Sequence, residues 1–91
     1  MKDNEMVEEA IQELKSVAIK KRYVVILPNP DVNRHSITGR GIVVWKPRSN
    51  TKFQVKVKDV VFFNLSVVEV LKIKRVAYLM IPENNILAKM L

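Results

Sequence analysis

The stretch VKVKDVVFFNLSVVEVLKIKRVAYLMIPENNILA, residues 55–88, carries most of the information about the fold of this chain. Around its start, apolar side chains alternate with lysine and glutamine over residues 52–58, which is the pattern of a half-buried strand. The apolar run at residues 60–63 and the two apolar segments that flank Lys74-Arg75 predict further strands, with a tight reversal at the basic pair. Several short strands separated by turns favour a sandwich or small barrel over an α/β fold.

The rest of the chain adds one helix and a polar loop to this β pattern. Apolar residues recur at three- and four-residue spacing over residues 4–18, which predicts an amphipathic helix. Two prolines interrupt the strand pattern after residue 27, so we predict a polar loop over residues 28–40. The alternation slips by one near Val68-Glu69, which indicates a bulge. The predicted strands cover residues 16–20, 22–27, 41–45, 52–58, 60–63, 70–73, 76–81 and 86–88.

Length and composition restrict the class of protein. A chain of 91 residues is expected to form one domain, here a helix over residues 4–18 followed by a barrel over residues 17–91. The chain contains no cysteine, so it has neither disulfides nor thiolate metal sites. No apolar run approaches the roughly 20 residues of a membrane span. We therefore expect a soluble protein of the cytoplasm, without a membrane partner.

The charge is unevenly distributed along the chain. Residues 1–14 have a net charge of −4, whereas residues 15–91 have a net charge of +11. A basic body can attract nucleic acid, anionic lipid or an acidic protein surface. We favour a simpler interpretation, in which lysines form the solvated face of the strands and discourage edge pairing. Nucleic-acid binding stays open as an alternative, with Trp45 and Tyr23 as possible stacking residues.

Four segments, in the right order, resemble the GroES-type co-chaperonins and their bacteriophage relatives. They are Arg22-Tyr23-Val24-Val25-Ile26, Gly41-Ile42-Val43-Val44, Val55-Lys56-Val57-Lys58-Asp59-Val60-Val61-Phe62-Phe63, and Tyr78-Leu79-Met80-Ile81 with Glu83 and Asn85-Ile86-Leu87-Ala88. The last two are the specific ones, because they resemble the family segments V-K-V-G-D-x-V-x-F and Y-L-I-M-x-E-x-D-I-L-A. The sequence departs from the family at Lys58, where glycine is usual, in its additional N-terminal helix, and in its shorter loop and roof hairpin.

The resemblance implies a small GroES-like β-barrel, preceded here by one amphipathic helix, that forms a ring of seven subunits. In the family, the first strand of one subunit pairs with the last strand of its neighbour. The corresponding interface residues here are Val17, Ala18, Ile19, Leu87, Ala88, Met90 and Leu91. The family's mobile loop docks on a GroEL-type chaperonin ring. The corresponding partner-binding residues are Val32, Asn33, Arg34, His35, Ser36 and Ile37, with Ile37 as the main anchor and Val32 as the second.

No group of residues has the pattern of a catalytic or metal site. His35 is the single histidine, and it lies in the polar loop without cysteines or a carboxylate pair nearby. Asp31, His35 and Ser36 share that loop without a scaffold that could orient them as a triad. Asn64-Leu65-Ser66 matches a glycosylation acceptor, which we interpret as chance. We therefore expect no enzyme, no catalytic residue, no cofactor and no metal.

The sequence leads to one main hypothesis and two alternatives. The main hypothesis, which follows from the resemblance, is a non-enzymatic co-chaperonin that caps a chaperonin ring and assists protein folding. A viral version would act in the cytoplasm of its host. The first alternative is a viral structural or assembly protein that uses the same barrel. The second is a basic, OB-like protein that binds nucleic acid.

Overall fold

The computed structural model describes residues 2–20, 22–28, 38–47 and 55–90. They form one helix followed by six strands: α1 (Lys2–Leu14), β1 (Tyr23–Pro28), β2 (Thr38–Trp45), β3 (Val60–Asn64), β4 (Glu69–Ile73), β5 (Val76–Pro82) and β6 (Ile86–Lys89). The strands form one antiparallel sheet with the order β4-β5-β1-β2-β3-β6. The predicted fold class is confirmed: the chain is mostly β with one N-terminal helix, consistent with a small barrel.

Each face of the sheet carries its own apolar cluster, because side chains alternate along the strands. The strand cluster consists of Val24, Ile26, Val43, Val61, Phe63, Ile81 and Ile86. The helix cluster lies on the opposite face, where one stripe of α1 packs on the sheet, and consists of Val7, Ala10, Leu14, Val25, Val44 and Tyr78. The N-terminal helix is therefore part of its own domain's core. The sequence alone left open whether it packs on its own barrel or on a neighbouring subunit.

Most of the predicted strands are present, with bounds close to those expected. The strands predicted at residues 22–27, 60–63, 70–73, 76–81 and 86–88 correspond to β1, β3, β4, β5 and β6. The strand predicted at 41–45 begins three residues earlier, at Thr38. The reversal at Lys74-Arg75 is also confirmed. Both residues have positive φ, 46° and 73°, as a two-residue type I′ hairpin turn requires.

The helix is shorter than predicted and the strand expected directly after it is absent. Helix α1 ends at Leu14 instead of residue 18, because the next three amide groups bond to carbonyls only three residues back, which tightens the last turn. Residues 17–20 belong to no strand, and Ala18 and Ile19 form no backbone hydrogen bond with another described residue. The strand prediction for residues 16–20 is therefore wrong for this single copy, in which no strand of the described residues completes a ladder beside them.

The alternating pattern of residues 52–58 does not form a strand in its described part. Val57 and Lys58 are the central residues of a turn between Lys56 and Asp59. The amide of Asp59 donates to the Lys56 carbonyl at 3.0 Å, and the amide of Lys56 donates to Asp59 Oδ2 at 2.9 Å. Residues 52–54 lie outside the described part of the chain. The strand prediction is wrong at residues 55–58 because the Asp59 carboxylate stabilises a turn there.

The bulge predicted near Val68-Glu69 is also wrong, since a short 3-10 helix (Leu65–Val67) connects β3 to β4. Its cap is Asn64, whose Oδ1 accepts from the Ser66 amide at 2.9 Å and from the Ser66 hydroxyl at 2.8 Å. The sheet has register shifts elsewhere, in the β1–β2 pair near Val44 and in the β3–β6 pair near Leu87. The first shift accompanies the burial of both Val43 and Val44, one in each cluster.

Lys58 occupies the position where the co-chaperonin pattern usually has glycine, and its φ of 80° explains that preference. A positive φ near this value is required at the third position of a type II turn, where glycine is the residue without a steric cost. The turn is held to β2 by two hydrogen bonds: the Lys58 amide donates to the Val43 carbonyl at 2.7 Å, and the Val43 amide donates to the Asp59 carbonyl at 2.9 Å. The Lys58 ammonium also pairs with Glu8 of α1.

We expect Leu14→Ala to lower the free energy of unfolding by about 2–5 kcal/mol, because it leaves a cavity between α1 and the sheet. Urea unfolding followed by circular dichroism measures the change. The matched control is Gln12→Ala on the exposed side of the same helix, which we expect to change stability by less than about 0.5 kcal/mol. Equal effects of the two substitutions would show that α1 does not dock on the sheet.

We expect Lys58→Gly to be more stable than Lys58→Ala by about 1 kcal/mol, because only the alanine side chain opposes the left-handed conformation. Both variants lose the ion pair with Glu8, so the difference between them isolates the backbone contribution. Chemical unfolding of the two variants measures it. An alanine variant as stable as the glycine variant would contradict the turn geometry.

Candidate protein interface

The structure shows how the predicted partner loop is anchored, although the loop residues themselves lie outside the described part. Val32, Asn33, Arg34, His35, Ser36 and Ile37 all belong to the undescribed segment 29–37. This segment connects β1 to β2, and the last described residue before it, Pro28, pairs with Gly41. β2 begins at Thr38 and pairs with β3 from that residue onward. The loop therefore connects two neighbouring strands in the middle of the sheet.

Gly41 lies at the base of this loop, where β2 packs closely against β1. A Cβ atom at this position would lie 2.7 Å from the Leu27 carbonyl oxygen, so no larger residue fits without a backbone shift. Gly39 is similarly restricted, since its Cβ would lie 2.7 Å from Leu65 Cδ2 and 2.8 Å from Phe63 Cε2. Neither glycine has a positive φ, so both are needed for close packing and not for a bend.

The predicted C-terminal interface residues lie at one edge of the sheet. In the described part of the chain, β6 has a hydrogen-bonded neighbour on one side only, which is β3. Leu87 and Met90 are 61% and 56% exposed, and Ala88 is exposed too. Leu91 lies outside the described residues. An edge strand with exposed apolar side chains is a template for pairing with another chain.

The predicted N-terminal interface residues lie in a different part of the fold. Val17, Ala18 and Ile19 connect α1 to the turn before β1, and Ile19 packs against the helix cluster. In the sheet order, β2 and β3 stand between β1 and β6. The two halves of the predicted interface therefore lie on separate parts of the described structure, and the pairing between them stays a prediction.

Sequence reasoning missed an apolar surface next to the β6 edge. Phe62 pairs with Ala88 across the β3–β6 ladder, and the Met90 amide donates to the Val60 carbonyl at 2.8 Å. Phe62 alternates with Val61 and Phe63 of the strand cluster, so its side chain lies on the opposite face. The helix cluster on that face has its buried residues on α1, β1, β2 and β5, and none on β3 or β6. The alternation of side chains within Val61-Phe62-Phe63 was the feature of the sequence that could have predicted this position of Phe62.

A second feature that the sequence did not indicate is a cavity of about 270 Å³ between α1 and the β4–β5 hairpin. Tyr78 forms part of its wall, and burial raises the pKa of its phenol above the ordinary value of 10.0, with further contributions from the negative charges of Glu13 and Glu9. Lys74 from the hairpin turn pairs with Glu13 at 3.5 Å. Glu9 and Glu13 of α1 therefore line the same cavity as the phenol.

The described residues contain neither a cluster of metal-ligand side chains nor a helix that could cross a membrane. None of them forms a group of three or more His, Cys, Asp or Glu residues that could hold a metal ion. Within the same residues, no helix has the length and apolar character needed to cross a membrane. His35, Asp31 and Ser36 belong to the undescribed loop, so their prediction as ordinary loop residues stays untested.

Comparison with known proteins does not assign the chain to a family. No family model matches the chain, and no curated protein matches its sequence. The resemblance to the GroES-type co-chaperonins therefore depends on the four sequence segments alone.

We expect stability to fall more steeply above pH 10 in the native protein than in Tyr78→Phe. The folded-state pKa of Tyr78 is raised, so the unfolded chain releases this proton first and deprotonation favours unfolding. The contribution is fully present below pH 10 and is lost as the pH rises through the folded-state pKa. Urea midpoints of both proteins at pH 8 and pH 11 measure it. Equal losses in the two proteins would contradict the described burial of the phenol.

Proposed function

We propose that this protein is a non-enzymatic, co-chaperonin-like subunit that forms a cyclic homo-oligomer and caps a GroEL-type chaperonin ring to assist protein folding. The observation that carries the proposal is the position of β6. The segment that resembles the family's closing I-L-A motif forms the edge strand of the sheet, with Leu87 and Met90 exposed. The proposed site of action is the cytoplasm, which would be that of the host if the protein is viral.

Two further features of the chain support the proposal. The segment that resembles V-K-V-G-D-x-V-x-F has a left-handed turn residue, Lys58, at its usual glycine position. The polar loop, where the family carries its mobile loop, connects two neighbouring strands, β1 and β2. The family pattern is thus consistent with the backbone conformation of Lys58 and with the connection between β1 and β2.

Assembly by edge pairing would give Ala18 and Ile19 backbone partners that they lack among the described residues of a single copy. Ala18 and Ile19 form no backbone hydrogen bond with another described residue, and β6 pairs on one side only. Addition of residues 17–19 of one copy to β6 of the next would extend each sheet by a short strand. The apolar surface of Phe62, Ala88 and Met90 would contribute buried area beside that strand. A repeated head-to-tail contact closes into a ring when its rotation permits, and the resemblance implies seven subunits.

The proposed mechanism of capping is multivalent binding through the loops. Each subunit would contribute one loop, with Ile37 as the main apolar anchor and Val32 as the second. Several weak contacts from one ring act together, so the affinity of the ring exceeds that of a single loop by roughly 10²–10⁴. Function would therefore depend on ring assembly, and so on the β6 edge as well as on the loop.

We expect the double substitution Leu87→Glu with Met90→Glu to convert the oligomer into a 10.5 kDa monomer, because it places negative charges at the proposed apolar interface. Native mass spectrometry and sedimentation velocity measure the mass. The control is Val70→Glu on β4, the opposite edge of the sheet, where Val70 is 65% exposed and the ring should persist. A native protein that is monomeric at high concentration would contradict the proposal.

We expect Ile37→Asp to leave the ring intact and to weaken chaperonin binding by about 100-fold or more, because every copy of the anchor is lost together. Binding is measured with an immobilised GroEL-type ring in the presence of ATP. Asn33→Asp adds the same charge to the same loop and should bind nearly as the native protein does. Native-like binding by the Ile37 variant would contradict the assigned role of the loop.

Two further measurements distinguish the two alternative functions from the proposed one. A structural or assembly role predicts the protein within purified virus particles and no association with a chaperonin. Nucleic-acid binding predicts an affinity that falls steeply as the salt concentration rises. Either result, together with absence of chaperonin binding by the native ring, would replace the proposed function.

A further inference from the structure

β4 is an edge strand with an open outer side. In the sheet order it pairs with β5 and with no other strand of the described part of the chain. Ile73 and Val76 flank the two-residue turn, so they form a hydrogen-bonded pair, and such pairs alternate with non-bonded pairs along an antiparallel ladder. Every second residue of β4, counted back from Ile73, therefore bonds to β5. Val70 and Lys72 direct their amide and carbonyl groups to the open side.

The same edge carries a large apolar side chain that is exposed. Val70 is 65% exposed, more than any other large apolar residue in the described ranges. It pairs with Leu79, which packs against the strand cluster, so Val70 lies on that face of the sheet without being covered. Leu71 and Ile73 lie on the other face, where they pack against the helix cluster. Open backbone groups beside an exposed apolar side chain form a template for pairing with another strand.

Charges of opposite sign lie at the two ends of this edge. Glu69 begins β4, and the Lys74-Arg75 turn follows its last residue. Lys74 pairs with Glu13 of α1 at 3.5 Å. Glu69 and Arg75 are both exposed, and neither forms an ion pair with another described residue. An antiparallel copy of the same strand would therefore bring a positive charge to each Glu69 and a negative charge to each Arg75.

We propose that β4 pairs with β4 of a second copy of this chain, in antiparallel orientation about a two-fold axis at Leu71. Val70 of each copy lies opposite Lys72 of the other, and the two residues exchange backbone hydrogen bonds across the axis. The methylene stem of Lys72 packs on the exposed Val70 side chain. Glu69 of each copy lies beside the basic turn of the other. This contact uses the edge opposite to β6, so it does not depend on the proposed ring.

Symmetry and charge select this arrangement among the ways in which a second copy can meet the edge. Residues that lie opposite each other in a sheet share a face, so the two-fold axis passes through a residue and not between two residues. An axis at Leu71 uses the open backbone groups of both Val70 and Lys72. An axis at Lys72 would place two ammonium groups opposite each other. Parallel, in-register pairing would bring the two Glu69 carboxylates together.

The first test uses the full chain with Leu87→Glu and Met90→Glu, in which the β6 edge is blocked whether or not the native protein forms a ring. A strand of five residues makes a small contact, so we expect a dissociation constant on the order of 1 mM and a monomer in dilute solution. Amide chemical shifts in NMR, followed from about 0.05 to about 1 mM protein, should change most at β4 and its turn. Absence of concentration dependence, or changes centred on another surface, would overturn the proposal. The mass of the native protein tests the proposed ring separately.

Two charge reversals in the same chain test the contact between Glu69 and Arg75 at low ionic strength. Glu69→Lys and Arg75→Glu should each weaken self-association about tenfold, because each replaces two attractions of the symmetric dimer by two repulsions. An equimolar mixture of these two variants should associate as strongly as the parent chain, since both contacts then join opposite charges. Glu5→Lys is the matched control, because it makes the same change of charge on the exposed side of α1. It should leave self-association unchanged, and mixing it with Arg75→Glu should restore nothing. If the first mixture associates as weakly as each variant alone, the two-fold pairing is wrong.

Discussion

The burial of β1 on both faces is the constraint on which the rest of the structure depends. Val24 and Ile26 belong to the strand cluster, whereas Val25 belongs to the helix cluster, and all three are fully buried. β1 also pairs on both sides, with β2 and with β5. A strand in this position needs a helix or a second layer over its outer face, and α1 supplies that layer. Without the helix, the apolar face around Val25 would be exposed to water.

The two ends of the sheet differ from β1, because each edge strand pairs with one other described strand and carries exposed apolar side chains. β4 and β6 are the edge strands, with Val70 exposed on one and Leu87 on the other. The helix cluster includes residues of β4 and β5, and it has no member on β3 or β6, where Phe62 is half-buried. This asymmetry directs the proposed ring contact to the β6 edge, and it places the cavity under α1 on a separate surface.

Local sequence and hydrogen bonds explain which predictions from the sequence were correct and which were wrong. The basic pair Lys74-Arg75 was correctly predicted as a reversal because it separates two apolar segments. The alternation that ends at Lys58 predicted a strand, but the Asp59 carboxylate and the contacts of this segment with Val43 stabilise a turn there. Val17 and Ile19 are strand-forming residues, but no strand of the described residues pairs with this segment in one copy. The sequence predicted the β6 segment as part of the candidate interface. It did not predict Phe62, because the contribution of Phe62 to that surface depends on how far α1 extends across the sheet.

The sequence by itself determined the fold class, the amphipathic helix and most of the strands, because alternation and three- to four-residue spacing are local properties of the chain. Only the tertiary structure decided where α1 packs, which strands lie at the edges, and that Glu9, Lys74 and Tyr78 meet around one cavity. These features arise from contacts between segments that lie far apart in the sequence. They cannot be predicted from residue spacing within a single segment, because they depend on strand order and on the face that the helix covers.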